Sequence, residues 1–436
     1  MQRLRRDLSL YGLTMIAVGS CIGSGIFLTP SQVASHLPSP ALIFTVWTVG
    51  GIITLTGALT FAELGGMFPK AGGVYVYLKE GYGDLAGFMY GWAYFTVINS
   101  GALAALSIAF AYYLSFIFPM SAAGQTIAAL TVIVLLTLIN IFRVKVVELF
   151  TNIFTGLKLL GIALVILIGL MAGSADTLQS DPEVLIKPAR NLWNAFGLAL
   201  VGVLWSYGGW QHTSYVSGEA RNATRTVPLA MVTGAGIVTL VYILTNLSIM
   251  YLLPVSAMAG SDSIAADAVS TVLPNGGFLI AILIAISILG TALIYTLSAP
   301  RIYFAMAEDG LFFKQIARVH PRYRTPVNAV LTQSGWAILL LLFWGTFEEV
   351  ITYVTFTDWV FFTMTAFTIF LFRSRNRKVN RPVKTFGYPI TPLIFIIISF
   401  LFVLNTLIEK PAQAGAGLVL LVLGLGFYWF FKRKQV

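Results

Sequence analysis

Long apolar segments follow one another along almost the whole chain, separated by short polar connections. Most are about 20 residues or longer, the length that an α-helix needs to cross a hydrocarbon layer about 30 Å thick. The pattern predicts an all-α membrane protein with twelve transmembrane helices, numbered here as spans 1 to 12 and lying approximately at 9–36, 41–65, 84–117, 123–142, 147–173, 192–218, 228–253, 276–306, 326–346, 350–372, 388–408 and 413–431.

Two of these spans are interrupted by glycine and polar residues in mid-membrane, as in the broken helices that mark binding sites in secondary transporters. Span 1 reads GSCIGSGIF over 19–27, and span 6 reads WSYGGWQH over 205–212. The breaks lie five spans apart, and because five is odd, two copies of a five-span unit enter the membrane from opposite sides. We therefore predict an inverted repeat of spans 1–5 (1–173) and 6–10 (192–372), followed by spans 11 and 12 (388–431), within one integrated membrane domain.

Composition agrees with this picture and charge adds the topology. Of the 436 residues, 58% are hydrophobic and only 10% charged, whereas a soluble domain carries roughly 25% charged residues. The net charge of +10 comes from basic residues that are concentrated in alternate loops. The predicted inner loops and tails hold 22 of them, and the outer loops hold only three, Lys187, Arg190 and Lys410. The positive-inside rule then places both termini in the cytoplasm, with the chain in the inner (plasma) membrane, and the charge reflects topology rather than nucleic-acid binding.

The interruptions also indicate what the site binds. Unwinding a helix in lipid exposes peptide groups that must find partners. The second half of span 1 begins at Gly23-Ser24-Gly25, so its amides suit a carboxylate, while the carbonyls that end the first halves, near 17–21 and 205–207, suit an ammonium. Close packing through small residues is the alternative for one break alone. Together the two breaks predict a site for an α-amino acid.

Four polar residues within the predicted spans add candidate chemistry. Lys158 lies about eleven residues, or roughly 16 Å, into span 5, too deep for its amine to reach an interface, so a partner or a role is expected. Tyr242 in span 7 is expected to face the site or to pack. Asp358 in span 10 either attracts a cationic substrate side chain or bonds neighbouring helices, and His212 either senses pH or packs as a satisfied histidine.

Several motifs resemble a known family. GSGIF in span 1, YGGW in span 6, FAELGGMFPKAGGVYVYL after span 2 and RTPVNAV before span 9 are similar to the amino acid, polyamine and organocation superfamily, and within it to the L-type amino acid transporters. The resemblance covers essentially the whole chain. It implies the LeuT fold, with substrate held between the unwound parts of spans 1 and 6, and a family that commonly exchanges neutral amino acids.

The resemblance also implies roles for individual residues. It assigns the substrate carboxylate to the backbone around Ile22, Gly23, Ser24 and Gly25. Trp205 falls where the family places an aromatic gate that shuts the site from outside.

On span 6, the resemblance places Tyr207, Gly208 and Gly209 beside the substrate, the two glycines lining its side-chain pocket, with Trp210 packed behind them.

In sodium-coupled relatives of this fold a cation bridges spans 1, 5 and 8. The resemblance implies that the Lys158 ammonium takes this place, bonded to span 1 carbonyls near Ser287 of span 8, and removes the need for sodium. The Tyr242 hydroxyl is then expected to bridge span 1 to Lys158.

These features favour a small neutral substrate and no partner subunit. No arginine lies at mid-membrane, which disfavours strongly charged substrates, and Trp205 and Trp210 crowd the break in span 6. We therefore expect alanine, serine or glycine, with larger or cationic amino acids and proton-coupled symport as alternatives. Animal members of the family bind a glycoprotein through an outer-loop cysteine, but the single cysteine, Cys21, lies in span 1, so no disulfide-linked heavy subunit is expected.

We expect no cofactor or metal, and a membrane enzyme is disfavoured because His36 and His320 lie in loops and no catalytic cluster assembles.

Overall fold

The computed structural model describes residues 4–179, 191–343, 347–375, 380–409 and 411–433. Lys187, Arg190 and Lys410, the basic residues predicted on the outer side, lie outside this part of the chain.

Helices account for every regular element within the described residues, apart from one isolated β-bridge between Leu8 and Ala220. Nine helical stretches in this part are long and apolar enough to cross a membrane, and Leu192–Tyr207 and Val327–Phe343 are shorter apolar helices. The predicted all-α membrane fold is therefore confirmed, while the division into two inverted repeats stays a prediction.

The helices follow the predicted spans closely, and the first and sixth spans are interrupted as predicted. Their bounds in chain order are Leu10–Cys21 and Gly25–Ala34 (span 1), Pro40–Met67 (span 2), Asp84–Ala93 and Asn99–Ile117 with a π-helical turn at Tyr94–Ile98 between them (span 3), Ala122–Ile141 (span 4), Val144–Ala172 (span 5), Leu192–Tyr207 and His212–Tyr215 (span 6), Ala223–Leu252 (span 7), Gly276–Ser298 continued by Pro300–Glu308 (span 8), Val327–Phe343 (span 9), Phe347–Arg375 (span 10), Ile390–Glu409 (span 11) and Pro411–Arg433 (span 12). Three short connecting helices are Val74–Tyr82, Val255–Ala259 and Ile264–Ser270.

Local sequence sets several of the helix starts. The hydroxyls of Ser9, Ser39 and Ser121 each accept a hydrogen bond from the amide three residues further on, which satisfies one of the donors that a helix leaves open at its N-terminus. Polar residues at the ends of apolar segments thus mark where each span begins.

Spans 1 and 6 lie at the centre of the helix bundle. Span 7 packs against spans 1, 2 and 5, and span 8 packs against spans 1, 3 and 5. Large apolar side chains such as Leu160, Met171 and Phe343 are exposed on the outside of the bundle, as expected for surfaces that face lipid. The polar groups of the two breaks are therefore enclosed by protein.

One end of the bundle is closed by polar contacts. Arg301, at the start of the helix Pro300–Glu308 that continues span 8, forms a fully buried ion pair with Glu219, with its Nε 2.8 Å from the carboxylate. The backbone carbonyl of Glu219 also accepts a hydrogen bond of 2.9 Å from the Leu8 amide. The segment before span 1, the end of span 6 and the end of span 8 are therefore joined on this side.

Candidate functional site

The two breaks touch each other at backbone distance. The Ser20 hydroxyl of span 1 lies 2.8 Å from the carbonyl of Gly209 in span 6 and 2.6 Å from the Ile16 carbonyl of its own helix. A Cβ atom added to Gly209 would lie 2.5 Å from the Ser20 carbonyl carbon, and one added to Gly25 would lie 2.6 Å from the Ser206 hydroxyl oxygen. Gly209 also has a φ of 134°, which side-chain-bearing residues rarely adopt. The glycines of the two motifs are therefore required for this contact.

The open amides of span 1 lie slightly further along the chain than predicted. Those of Ile22 and Gly23 donate 2.9 Å hydrogen bonds to carbonyls within span 1, so they are already used. The next three amides, at 24–26, begin the second helix, and no backbone acceptor faces them among the described residues. The Ser24 hydroxyl beside them is buried and also lacks a partner in that part of the chain. A cluster of donors is thus left at a positive helix end.

Lys158 joins spans 1, 5 and 8 by hydrogen bonds. Its ammonium donates to the carbonyls of Gly19 and Ile22, at 2.8 and 2.7 Å, and lies 2.9 Å from the Thr291 hydroxyl. The Thr291 hydroxyl lies 2.9 Å from both carbonyls, and Ser287 donates to the Ile22 carbonyl at 3.2 Å. Lys158 is 1% exposed, so its charge is solvated by peptide dipoles instead of water.

The partner of Lys158 on span 8 is thus Thr291, which the sequence reasoning did not select. Ser287 lies nearby but meets Lys158 only through the shared Ile22 carbonyl. Because the two residues are four apart on one helix, they share a face, and this spacing was the available signal.

The Tyr242 hydroxyl bridges spans 1 and 6, so the predicted bridge to Lys158 is wrong. The hydroxyl lies 2.7 Å from the Cys21 carbonyl and 3.0 Å from the Ser206 carbonyl. In the unwound segment the carbonyls of Cys21 and Ile22 bond to different neighbouring helices. Tyrosine and lysine therefore hold successive peptide groups from two sides.

A small cavity of about 20 Å³ lies beside the span 6 break. Residues from spans 3, 6, 8 and 10 line it, namely Tyr94, Ile98, Ala102, Leu204, Trp205, Gly208, Gln211, His212, Tyr295, Val354, Thr355, Asp358, Trp359 and Phe362. Gly208 and Trp205 belong to this lining, whereas Gly209 does not, because its Cα faces the backbone of span 1. The roles of Gly208 in the substrate pocket and of Trp205 as a gate stay predictions. The Gly209 amide is bonded to the Gln211 side chain at 2.9 Å.

Two aromatic residues beside the break are held by packing. Trp210 is buried against Phe61, with ring centroids 5.0 Å apart, and so lies behind the site as expected. The Tyr207 hydroxyl donates to the Trp47 carbonyl at 3.1 Å, which turns its side chain towards span 2. Tyr207 can therefore offer only its backbone to a substrate.

His212 has a partner at each ring nitrogen. Nδ1 lies 2.5 Å from the Ser298 hydroxyl and Nε2 lies 3.2 Å from the Tyr94 hydroxyl. The Ser298 hydroxyl also lies 2.7 Å from the Ile294 carbonyl. A neutral imidazole donates from one ring nitrogen and accepts at the other, so both nitrogens of His212 are satisfied. This pattern is that of a neutral, fully satisfied histidine, the packing alternative.

Comparison with known proteins agrees with this architecture. The family model described as amino acid permease matches residues 8–428. The serine/threonine exchanger SteT of Bacillus subtilis (strain 168) is 30% identical over 99% of this chain and 98% of its own length. The human b(0,+)-type amino acid transporter 1 is 30% identical, covering 99% and 89% of the two chains, and the human Asc-type amino acid transporter 1 is 28% identical, covering 99% and 84%.

These proteins are membrane transporters rather than enzymes, and the likeness extends over both breaks and every predicted span. This chain therefore belongs to the amino acid permease family and is a multi-pass membrane protein that transports amino acids.

Proposed function

We propose that the protein exchanges small neutral L-amino acids across the plasma membrane by sodium-independent alternating access. The observation that carries the proposal is the position of the Lys158 ammonium, held within 2.7 to 2.9 Å of two span 1 carbonyls and a span 8 hydroxyl. A fixed cation at the junction of spans 1, 5 and 8 supplies the charge that sodium supplies in sodium-coupled relatives of this fold. The span 1 break then stays ordered without a bound ion.

The two ends of the amino acid fit the two kinds of peptide group at the breaks. The carboxylate accepts hydrogen bonds from the amides at 24–26 and from the Ser24 hydroxyl, which is buried without a partner among the described residues. The ammonium takes remaining lone pairs of the carbonyls that end the first halves of spans 1 and 6, since each carbonyl oxygen can accept two bonds. Trp205 lies at the cavity beside this position and acts as the gate.

A small substrate is supported by the size of the cavity and by the name of one relative. The cavity volume of about 20 Å³ is only slightly larger than the roughly 10–15 Å³ that one water molecule needs. The site therefore offers little room beyond the substrate backbone. One relative is described as a serine/threonine exchanger, which agrees with exchange of short side chains.

The protein is proposed to work with both termini in the cytoplasm and without a disulfide-linked subunit. Its basic residues favour this orientation, and its single cysteine, Cys21, is buried within the bundle. An outer-surface thiol for such a bond is therefore missing from the sequence.

Counterflow in proteoliposomes tests the proposal. Vesicles preloaded with unlabelled alanine or serine should take up labelled alanine rapidly, and the rate should be the same in sodium and in choline buffers. Empty vesicles should take up little. Uptake that requires a sodium gradient would contradict the fixed-cation role of Lys158, and uptake into empty vesicles driven by an imposed pH gradient would identify proton-coupled symport instead.

A further inference from the structure

Span 10 presents two polar atoms without hydrogen-bond partners to the cavity beside the span 6 break. The Thr355 hydroxyl and one carboxylate oxygen of Asp358 are both buried and unpaired among the described residues. The two residues are three apart on one helix and therefore lie on the same face, and both line the cavity. Unpaired buried polar atoms are uncommon because each costs free energy, so two on one cavity wall indicate a missing ligand.

None of the side-chain donors that line the cavity, those of Gln211 and Tyr295 included, bonds to either atom among the described residues. No lysine or arginine in the described part of the chain lines the cavity. His212 also lines the cavity, but Ser298 and Tyr94 occupy its two nitrogens. The hydroxyl of Tyr94 lies 3.2 Å from His212 Nε2, and much of the remaining wall is apolar or aromatic. A carboxylate in such surroundings is costly unless a hydrogen-bond donor or a cation meets it.

The cavity adjoins the break in span 6, so the substrate itself is placed to supply the missing partner of Asp358. From span 6, the cavity is lined by Trp205 and by Gly208, which has no side chain. The carbonyls proposed to bind the ammonium, at 205–207, belong to the same stretch of chain. A substrate held at the two breaks would therefore direct its side chain towards Asp358 and Thr355. The cavity volume of about 20 Å³ restricts that side chain to a short one.

We propose, on the basis of the amino acid exchange put forward above, that Asp358 determines specificity by accepting a hydrogen bond from a donor group at the end of a short substrate side chain. Thr355 supports the same contact. A hydroxyl and a short amine share this chemistry, whereas an aliphatic side chain of equal size leaves the carboxylate unpaired. The site therefore prefers serine or a short diamino acid over aliphatic amino acids of the same shape.

Isosteric substrate pairs test this proposal in the full-length protein in proteoliposomes. Serine is compared with α-aminobutyrate, threonine with valine, and diaminopropionate serves as the short amine, each as a competitor of labelled alanine counterflow. Leaving a buried polar group without its hydrogen-bond partner costs about 1–3 kcal/mol, so the wild-type protein should prefer each hydroxyl substrate over its isostere by about 5- to 150-fold. Relative inhibition by serine and diaminopropionate identifies which donor the carboxylate takes.

Variants of span 10 assign the preference to Asp358. D358L should bring the serine to α-aminobutyrate ratio close to one, and T355V should lower it by a smaller factor. D358N keeps an oxygen acceptor without the charge, so it should weaken diaminopropionate more than serine. The matched control is T365V, since the Thr365 hydroxyl bonds, within the described part of the chain, only to the Phe361 carbonyl of its own helix; it should keep the wild-type ratio.

The outcomes separate this inference from the proposed function. Wild-type exchange with equal preference for each isosteric pair, or an unchanged ratio in monodisperse D358L, would overturn the role of Asp358 and leave the exchange itself standing. Absence of alanine counterflow in the wild-type protein would instead overturn the exchange. Should D358L fail to fold, the ratios measured with D358N decide, and equal effects on both donors would count against the proposal.

Discussion

Replacing Lys158 by methionine removes the ammonium while keeping most of the side-chain volume. The structure predicts a modest effect on folding, because the carbonyls of Gly19 and Ile22 keep donors from Thr291 at 2.9 Å and Ser287 at 3.2 Å. The substitution also removes the cost of burying a charge, which offsets part of the three lost hydrogen bonds. We therefore expect a loss of about 1–2 kcal/mol in the free energy of unfolding, the range for incompletely compensated hydrogen bonds.

The substitution should reduce the transport rate much more than it reduces the stability of the fold. Without the fixed charge the span 1 break is held less firmly in the geometry that the substrate needs, and loss of even one charged hydrogen bond, about 1.5–3 kcal/mol, corresponds to a rate about 10- to 150-fold lower. Alanine counterflow in proteoliposomes measures this, with thermal unfolding and size-exclusion profiles as folding controls. The matched control is L157A on the same helix, because Leu157 faces outwards with 40% of its surface exposed. Wild-type exchange by a well-folded K158M protein would refute the cation-substitute role.

Two further substitutions test other contacts. G25V should weaken substrate binding at least about tenfold, which corresponds to the loss of one to two hydrogen bonds, because a Cβ at Gly25 would already lie 2.8 Å from the Ser206 Cα. The apparent affinity in counterflow measures this effect, and G236A is the control because a Cβ there would have nothing within 4 Å. Unchanged affinity in G25V would contradict binding of the substrate carboxylate by the amides at 24–26. E219Q should lower the free energy of unfolding by about 3–5 kcal/mol, since it leaves the buried Arg301 charge without its counter-ion. A thermal melting curve like that of the wild-type protein would show that this ion pair does not hold the closed end.

The sequence predicts the spans and both breaks because these features depend on local composition. Apolar length fixes where a helix crosses lipid, and paired glycines in mid-span identify where the helix stops. Lys158 is similarly evident, since an isolated charge at that depth requires a protein partner. These inferences need no knowledge of which helices are neighbours.

Details that depend on tertiary geometry were less predictable. Tyr242 was expected to bond towards Lys158, but the unwound backbone directs the Cys21 carbonyl to span 7 and the Ile22 carbonyl to span 5. The inward orientation of Asp358 could not be fixed either, because span 10 has no clear polar face in its sequence. The rotation of a helix about its axis is set by its neighbours, and a single sequence does not contain that information directly.

A structure of the protein with a bound amino acid would show whether the two breaks form the substrate site. We predict that the amino acid lies between the two breaks, with its carboxylate within hydrogen-bonding distance of the amides at 24–26 and its side chain directed towards Asp358. An amino acid bound elsewhere in the bundle, or a span 1 that runs as one continuous helix through this level in the bound state, would contradict it.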